Sequence, residues 1–506
     1  MASSIVFLVT GASLLGVLAR VAIPPAAWIA LVCLLHGTRL MPASLGAVVL
    51  WLTLYVALGI GNRGIIPAGG PVYFGILALI AALTAVPFVV DRLIAPRLEG
   101  ITATLVFPLA WVTVEFLRSR FTPGASWGSI AYTQYGFLSL MQVAAFVGIW
   151  GISFLLAWCA SVFDAAWSHG FDWNAVRTPV LACGAVLGAI LLGGAARLSL
   201  APTDGASIRT ATLNRPLDLF VPGEMTRIAE GRVSATERPQ IDGKLSRLHD
   251  WFLDGSRREA RAGARLVVWP EMNLLVFAED ESTFLARAQR LAVEENVYLA
   301  MGMATVHSGE RLPLENKLVL IDPAGRVIGS YLKNHPVQGW EESIMRVGDG
   351  RMSVVATPVG KLAGAICFDG DFPQFIRQAG QGAADLFIIP ANEWKTIKTL
   401  HSQMAIFRAI ENGVPMIRPA ASGLSTAVDA WGRVLAVSDY FAQGDRTMTA
   451  QVPIGHVSTL YAKTGDLFAW LCVGTLVLTI GAATLRGRAE MKAASNPAAV
   501  QAGLSR

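Results

Sequence analysis

The chain has 506 residues, of which 53% are hydrophobic and 15% charged, and its mean hydropathy is +0.50. That balance is too apolar for an ordinary soluble protein of this length, so part of the chain must live in lipid. The net charge of +5 is spread thinly, with no basic run interleaved with aromatics, which excludes a nucleic-acid surface and suits a membrane protein.

Over the first 200 residues the apolar blocks run roughly 5–23, 26–36, 43–61, 71–91, 101–118, 137–163 and 178–199. Most are long enough for a helix across about 30 Å of hydrocarbon, which takes about 20 residues. The second block, Ala26 to His36, is short, its start is set by Pro24 and Pro25, and it spans only with help from its flanks. The first lacks a basic leader and is followed by further spans, so it reads as structure and not as a signal peptide. About seven helices are therefore expected in an N-terminal bundle over residues 1–200.

From about residue 205 to 455 charges recur, and short β-branched runs alternate with amphipathic stretches. Strands are expected at Ile208–Leu213, Arg265–Trp269, Val297–Met301, Lys317–Ile321, Val327–Tyr331, Leu362–Ile366, Leu386–Ile389 and Met416–Arg418. Helix-period segments such as Ser282–Glu294 and Leu400–Glu411 lie between them. The soluble part is thus α/β, with helices covering the sheet faces. A last apolar helix within 461–486 returns the chain to the bilayer, and residues 487–506 form a tail with Arg486, Arg488 and Lys492 around its start. Basic flanks stay cytoplasmic, which sets the soluble domain on the opposite side. The N-terminal loops do not vote: Arg39, Arg92, Arg97 and Arg177 on one side balance Arg20, Arg63, Arg118 and Arg120 on the other.

Five cysteines, Cys33, Cys159, Cys183, Cys367 and Cys472, show no CxxC pair, zinc spacing or disulfide framework. Four lie in apolar runs, as small buried hydrophobes. Cys367 alone stands in a polar, globular stretch. Glu271 follows ARLVVWP, Lys333 follows RVIGSYL and Cys367 follows KLAGAI, so each is expected at the carboxyl end of a strand, where distant segments converge. A thiol attacks a carbonyl once a base has its proton, and a cation steadies the resulting oxyanion. A carboxylate, an amine and a thiol gathered together are the parts of that chemistry.

The motifs W-P-E (Trp269–Glu271), Y-L-K (Tyr331–Lys333) and A-I-C-F-D (Ala365–Asp369), spaced 62 and then 34 residues apart from Glu271 to Lys333 to Cys367, resemble the nitrilase superfamily of carbon–nitrogen hydrolases. F-R-A-I-E-N-G at Phe407–Gly413 and D-x-x-G-R-V at Asp429–Val434 extend the likeness. The membrane half narrows it. F-P-L-A-W-V-T-V-E-F-L-R-S (Phe107–Ser119), S-W-G-S-I-A-Y-T-Q (Ser126–Gln134) and G-I-W-G-I-S-F-L (Gly148–Leu155) resemble the bacterial apolipoprotein N-acyltransferases. Glu115 and Arg118 are read as an interfacial ion pair anchoring a helix.

That resemblance implies a polytopic helical membrane domain joined to an α-β-β-α sandwich. It also implies transfer of a fatty acyl chain from phospholipid to the free amine of a diacylglyceryl-cysteine lipoprotein, on the outer face of the inner membrane. Cys367 would be the nucleophile, Glu271 the base and then acid, and Lys333 the stabiliser of the tetrahedral intermediate. Glu341 matches another family glutamate near the site, with its neighbour Glu342 competing for that register. No metal or organic cofactor is called for. Both substrates are anchored in the bilayer, so tethering the pocket beside it replaces a search with positioning.

The chain departs from the family where the pocket wall is expected. His335–Trp340 replace Leu-Val-Pro-Phe-Gly before Glu341, Phe368 and Asp369 replace Tyr-Glu, Asn392, Glu393, Trp394 and Lys395 stand for Asn-Asp-Ala-Trp-Phe, and Pro419–Gly423 replace Ala-Thr-Asn-Thr-Gly. Phe368, Asp369, Asn392 and Trp394 are accordingly secondary site candidates. The changes spare the triad and bear on donor and acceptor. The competing readings are a membrane-tethered amidase using water, an N-acyltransferase for another amine, and a non-catalytic scaffold.

Overall fold

The structure, a computed structural model, describes residues 2–202, 205–215, 219–442 and 446–494. The chain divides into two compact units, one of residues 1–143, 147–194 and 466–506 and one of residues 144–146 and 195–465.

In the first unit, six helices among the described residues are long and apolar enough to cross a membrane: Ala43–Gly61, Gly70–Arg97, Gly100–Phe121, Ile149–Ser168, Trp173–Ser199 and Leu467–Arg486. The first two apolar blocks form shorter helices, Ala2–Leu18 and Pro24–Arg39, the second opened by proline at its first turn, where no amide partner is needed. The block at 137–163 is broken, with two four-residue helices preceding Ile149–Ser168. Gly148, at φ +68°, interrupts it. The last helix runs Leu467–Ala494 and includes the basic stretch expected in the tail, while residues 495–506 lie outside the described ones.

Small residues let these helices approach closely. A Cβ on Gly61 would stand 2.3 Å from the Gly16 carbonyl oxygen, and one on Gly16 would stand 2.6 Å from that of Ala57. Several charged groups in the interior are matched. Arg39 donates to Asp91 and Asp164, and His36 sits 2.6 Å from Asp164. The Glu115 carboxylate, expected to pair with Arg118, is held by Ser129 Oγ at 2.9 Å, Ser153 Oγ at 2.6 Å and the Ile130 amide at 2.8 Å.

The second unit is an α-β-β-α sandwich. One sheet runs, in spatial order, Met448–Pro453, Ser207–Thr212, Leu266–Phe277, Tyr298–Val306, Leu314–Ile321 and Val327–Leu332. The other runs Val434–Asp439, Leu424–Val428, Met416–Arg418, Leu386–Ile388, Gly360–Gly364 and Ser353–Thr357. In each the middle three strands are parallel and the outer ones antiparallel. Strands buried on both faces read as continuous apolar runs, as LVVW and LFI do here. Helices Arg238–Arg261 and Glu281–Glu294 cover the first sheet. On the outside of the second lie Pro373–Gln381 and Lys398–Asn412. The helix Arg238–Arg261 was not foreseen: charge dominates its composition, and its apolar stripe is narrow, carried by Ile241, Leu245, Leu248, Phe252 and Leu253.

Candidate active site

Lys333 follows the strand Val327–Leu332 directly, and Cys367 opens a short 3₁₀ turn, Cys367–Asp371, three residues after Gly360–Gly364. Glu271 departs from expectation, since it lies inside the long strand Leu266–Phe277. The ladder to Tyr298–Val306 breaks between Trp269 and Leu274, and Met272 adopts φ +51°. Glu271 therefore sits on an irregularity that ends one stretch of pairing and begins the next, which turns a mid-strand residue into a local strand end. Cys367 is also left-handed, at φ +48°, a conformation that costs free energy in a non-glycine residue and is held there by its surroundings.

The three residues meet. Lys333 Nζ donates to Glu271 Oε1 at 2.8 Å and to Glu341 Oε2 at 2.7 Å, with the Lys333 and Glu271 side chains 0% and 1% exposed. Asn392 joins Glu271 to the thiol through its backbone, its amide donating to Glu271 Oε2 at 2.7 Å and its carbonyl taking the Cys367 thiol at 3.7 Å. Burial pushes the Cys367 thiol well above its ordinary range and Glu271 adds to this, against Lys333 and Arg418. Burial alone would lower Lys333, but Glu271 and Glu341 hold it well above its usual value. Burial also raises Glu341, an effect that Lys333 opposes. The resting site thus holds a neutral thiol beside a carboxylate that can take its proton and a fixed ammonium for a developing oxyanion.

Among the secondary candidates, Glu341 and not Glu342 faces Lys333, and its carboxylate also accepts the Val337 amide at 2.8 Å. Asp369 is wholly buried and joins the thiol turn to the lysine turn. It accepts from the Ile366 amide at 3.1 Å, Tyr331 Oη at 2.6 Å, the Asn334 and His335 amides at 3.2 and 2.8 Å, and lies 2.7 Å from His335 Nδ1. Phe368 is partly buried, edge-on to Phe372 at 5.3 Å. The Asn392 side chain is exposed and Trp394 is half-buried, and it is the Asn392 backbone that bonds to Glu271 and Cys367.

Sequence reasoning missed Asn316. Its side-chain amide donates to Glu271 Oε1 at 2.7 Å, and its carbonyl accepts the Lys333 amide at 2.9 Å. The available signal was an asparagine inside the apolar strand LENKLVLI. Arg418 was also overlooked, an arginine ending the run MIR and 0% exposed.

The family model for the carbon–nitrogen hydrolases matches residues 235–461, and that for the apolipoprotein N-acyltransferase N-terminal domain matches residues 10–162. The apolipoprotein N-acyltransferase of Geobacter metallireducens is 29% identical over 462 residues, covering 85% of this chain and 83% of that protein. Both halves of the chain are thus similar to apolipoprotein N-acyltransferases. Another member of that name, from Bradyrhizobium diazoefficiens, is 25% identical over 460 residues, covering 85% of this chain and 79% of its own. An amidase from Nesterenkonia sp. aligns at 19% identity with a TM-score of 0.40, covering 53% of this chain and 96% of that one. With this likeness in its membrane half and six helices of spanning length among the described residues, the chain is a multi-pass membrane protein.

Proposed function

We propose that this protein transfers a fatty acyl chain from a membrane phospholipid, through a thioester on Cys367, to the N-terminal amine of diacylglyceryl-cysteine lipoproteins. The observation that carries this reading is the likeness to apolipoprotein N-acyltransferases through both halves of the chain, membrane helices included. A hydrolase needs only the sandwich.

In the first half-reaction Cys367 Sγ attacks the ester carbonyl carbon of the phospholipid while Glu271 takes the thiol proton. Lys333 faces the oxyanion, the carbon–oxygen bond breaks, and Glu271 returns the proton to the departing lysophospholipid hydroxyl. In the second, the lipoprotein amine attacks the thioester, Glu271 takes a proton from its nitrogen and delivers it to Sγ, and an amide is left. Lys333 is held as an ammonium in the resting site by Glu271 and Glu341, and while Glu271 carries the proton the oxyanion and Glu341 favour its ionised form. The catalytic unit is assigned to the outer face of the inner membrane. Arg486 and Arg488 beyond the last apolar stretch support a cytoplasmic tail.

Incubation of the purified protein with phospholipid vesicles tests the reading by intact mass. A gain of one acyl chain is expected, sensitive to hydroxylamine, absent in Cys367→Ala and discharged by a diacylglyceryl-cysteinyl peptide. Acid released without any amine acceptor, and no discharge by the peptide, would overturn it in favour of hydrolysis.

A further inference from the structure

Behind the thiol turn lies a second group of ionisable side chains that acyl transfer does not use. His401, on the helix Lys398–Asn412, places Nδ1 2.9 Å from Glu393 Oε1 and Nε2 3.3 Å from Asp371 Oδ1. Arg418 Nη2 donates to the same Glu393 oxygen at 2.6 Å and lies 3.0 Å from His401 Nδ1. All four residues are buried.

Two buried carboxylates against one guanidinium leave a negative charge uncompensated, which a low-dielectric interior strongly disfavours. An imidazolium closes the balance, with Nδ1–H on Glu393 and Nε2–H on Asp371. The close approach of Arg418 is then two cations sharing one carboxylate oxygen. The neutral tautomer, accepting from Arg418 at Nδ1, would leave Asp371 and Glu393 with a single positive charge between them. Burial by itself would lower His401, but Asp371 and Glu393 outweigh it and, against Arg418, raise it to about 9.

The placement of the two carboxylates gives this cluster its meaning. Asp371 ends the turn that Cys367 begins. Glu393 follows Asn392, whose amide holds Glu271 and whose carbonyl takes the thiol. We propose that His401 is a positioning residue: as a cation between Asp371 and Glu393, it ties the turn carrying Cys367 to the loop whose backbone holds both Cys367 and Glu271. The inference rests on Cys367 as nucleophile and Glu271 as base. The charged groups facing His401 come from three other segments: Asp371 from the thiol turn, Glu393 from the Asn392 loop and Arg418 from the strand Met416–Arg418.

His401→Gln keeps approximate size and polarity and removes the charge. In the full-length protein in detergent, two rates are read: acyl uptake on Cys367 from phosphatidylglycerol vesicles, and iodoacetamide alkylation of the peptide carrying Cys367. Both are expected to fall roughly tenfold to a hundredfold, the order of loss that a displacement of up to about 1 Å produces. Adding Asp371→Asn to His401→Gln restores neutrality, since Glu393 and Arg418 then pair alone, and most of the rate should return. A space-filling role predicts no such rescue. Wild-type rates in a folded H401Q, or a double variant no faster than the single one, would overturn the proposal. Should H401Q fail to fold, D371N alone decides: slower alkylation supports the tie and an unchanged rate refutes it. A wrong phospholipid donor is distinguishable, because wild type would then take up no acyl chain while alkylation still responded to H401Q.

Discussion

Lys333→Met tests the electrostatics of the site most directly. The side chain is 0% exposed and is the cation shared by Glu271 and Glu341. Its removal leaves the buried Glu271 carboxylate and the partly buried Glu341 carboxylate facing each other across an apolar thioether. Glu271 keeps Asn316 and the Asn392 amide, whereas Glu341 keeps the Val337 amide, so Glu341 is the group that takes up a proton. An ordinary glutamate has a pKa of about 4.3, so holding it protonated at pH 7 costs about 3.7 kcal/mol at about 1.36 kcal/mol per pH unit. That agrees with the roughly 3–5 kcal/mol lost when one partner of a buried pair is removed. At pH 5 the same cost shrinks to about 1 kcal/mol. The sign follows because a carboxyl raised in the folded state binds more protons there than when unfolded, so stability falls as pH rises above the unfolded value. Thermal unfolding of the detergent-solubilised chain, read by tryptophan fluorescence, should show K333M melting roughly 8–15 °C below wild type at pH 7 and only about 2–4 °C below at pH 5. Glu341→Gln added to K333M should restore most of the difference at pH 7. A loss of stability that is the same at both pH values would refute the reasoning, since it would mean that lost packing and not uncompensated charge sets the cost.

Asn316→Leu should lower acyl uptake by about tenfold or more with little change in donor KM, because it removes a donor from Glu271 without reaching substrate; equal kcat would exclude an orienting role. Asp369→Ala should destabilise the catalytic unit by about 3 kcal/mol or more, since donors from the thiol and lysine turns lose a charged acceptor; the check is thermal unfolding together with faster proteolysis of the 333–345 segment. In the membrane unit, Gly61→Leu forces apart helices Ala2–Leu18 and Ala43–Gly61, and a lower melting temperature in detergent is expected, whereas Gly69→Leu, in open space, should leave it unchanged. Arg39→Met should lower the same melting point by about 3 kcal/mol equivalent or more, because it strips the counter-ion from Asp91 and Asp164.

The amino-acid sequence by itself determined that this chain lives in lipid, because composition alone sets how much of it water would tolerate. It also determined the α/β character of residues 205–455 and the identity of Glu271, Lys333 and Cys367 as candidates, since each follows an apolar run in a motif with a family likeness. Strands such as Leu386–Ile388 and Met416–Arg418 were legible because burial on both faces leaves a continuous apolar run. Leu424–Val428 and Val434–Asp439 were not, being short strands of mixed polarity whose pairing is decided by partners far along the chain. What only the tertiary structure decided is which side chains share a charge. Local sequence cannot show that Asn316, 45 residues from Glu271, donates to it, or that Asp371, Glu393, His401 and Arg418 meet behind the thiol. Nor can it distinguish Glu341 from Glu342, which differ only in the direction that one short helix turns them. Those facts depend on the meeting of strand ends from two sheets, a long-range event with no local pattern. The electrostatics of the site follow from it, since a buried charge is set by the neighbours the fold brings and not by those in sequence.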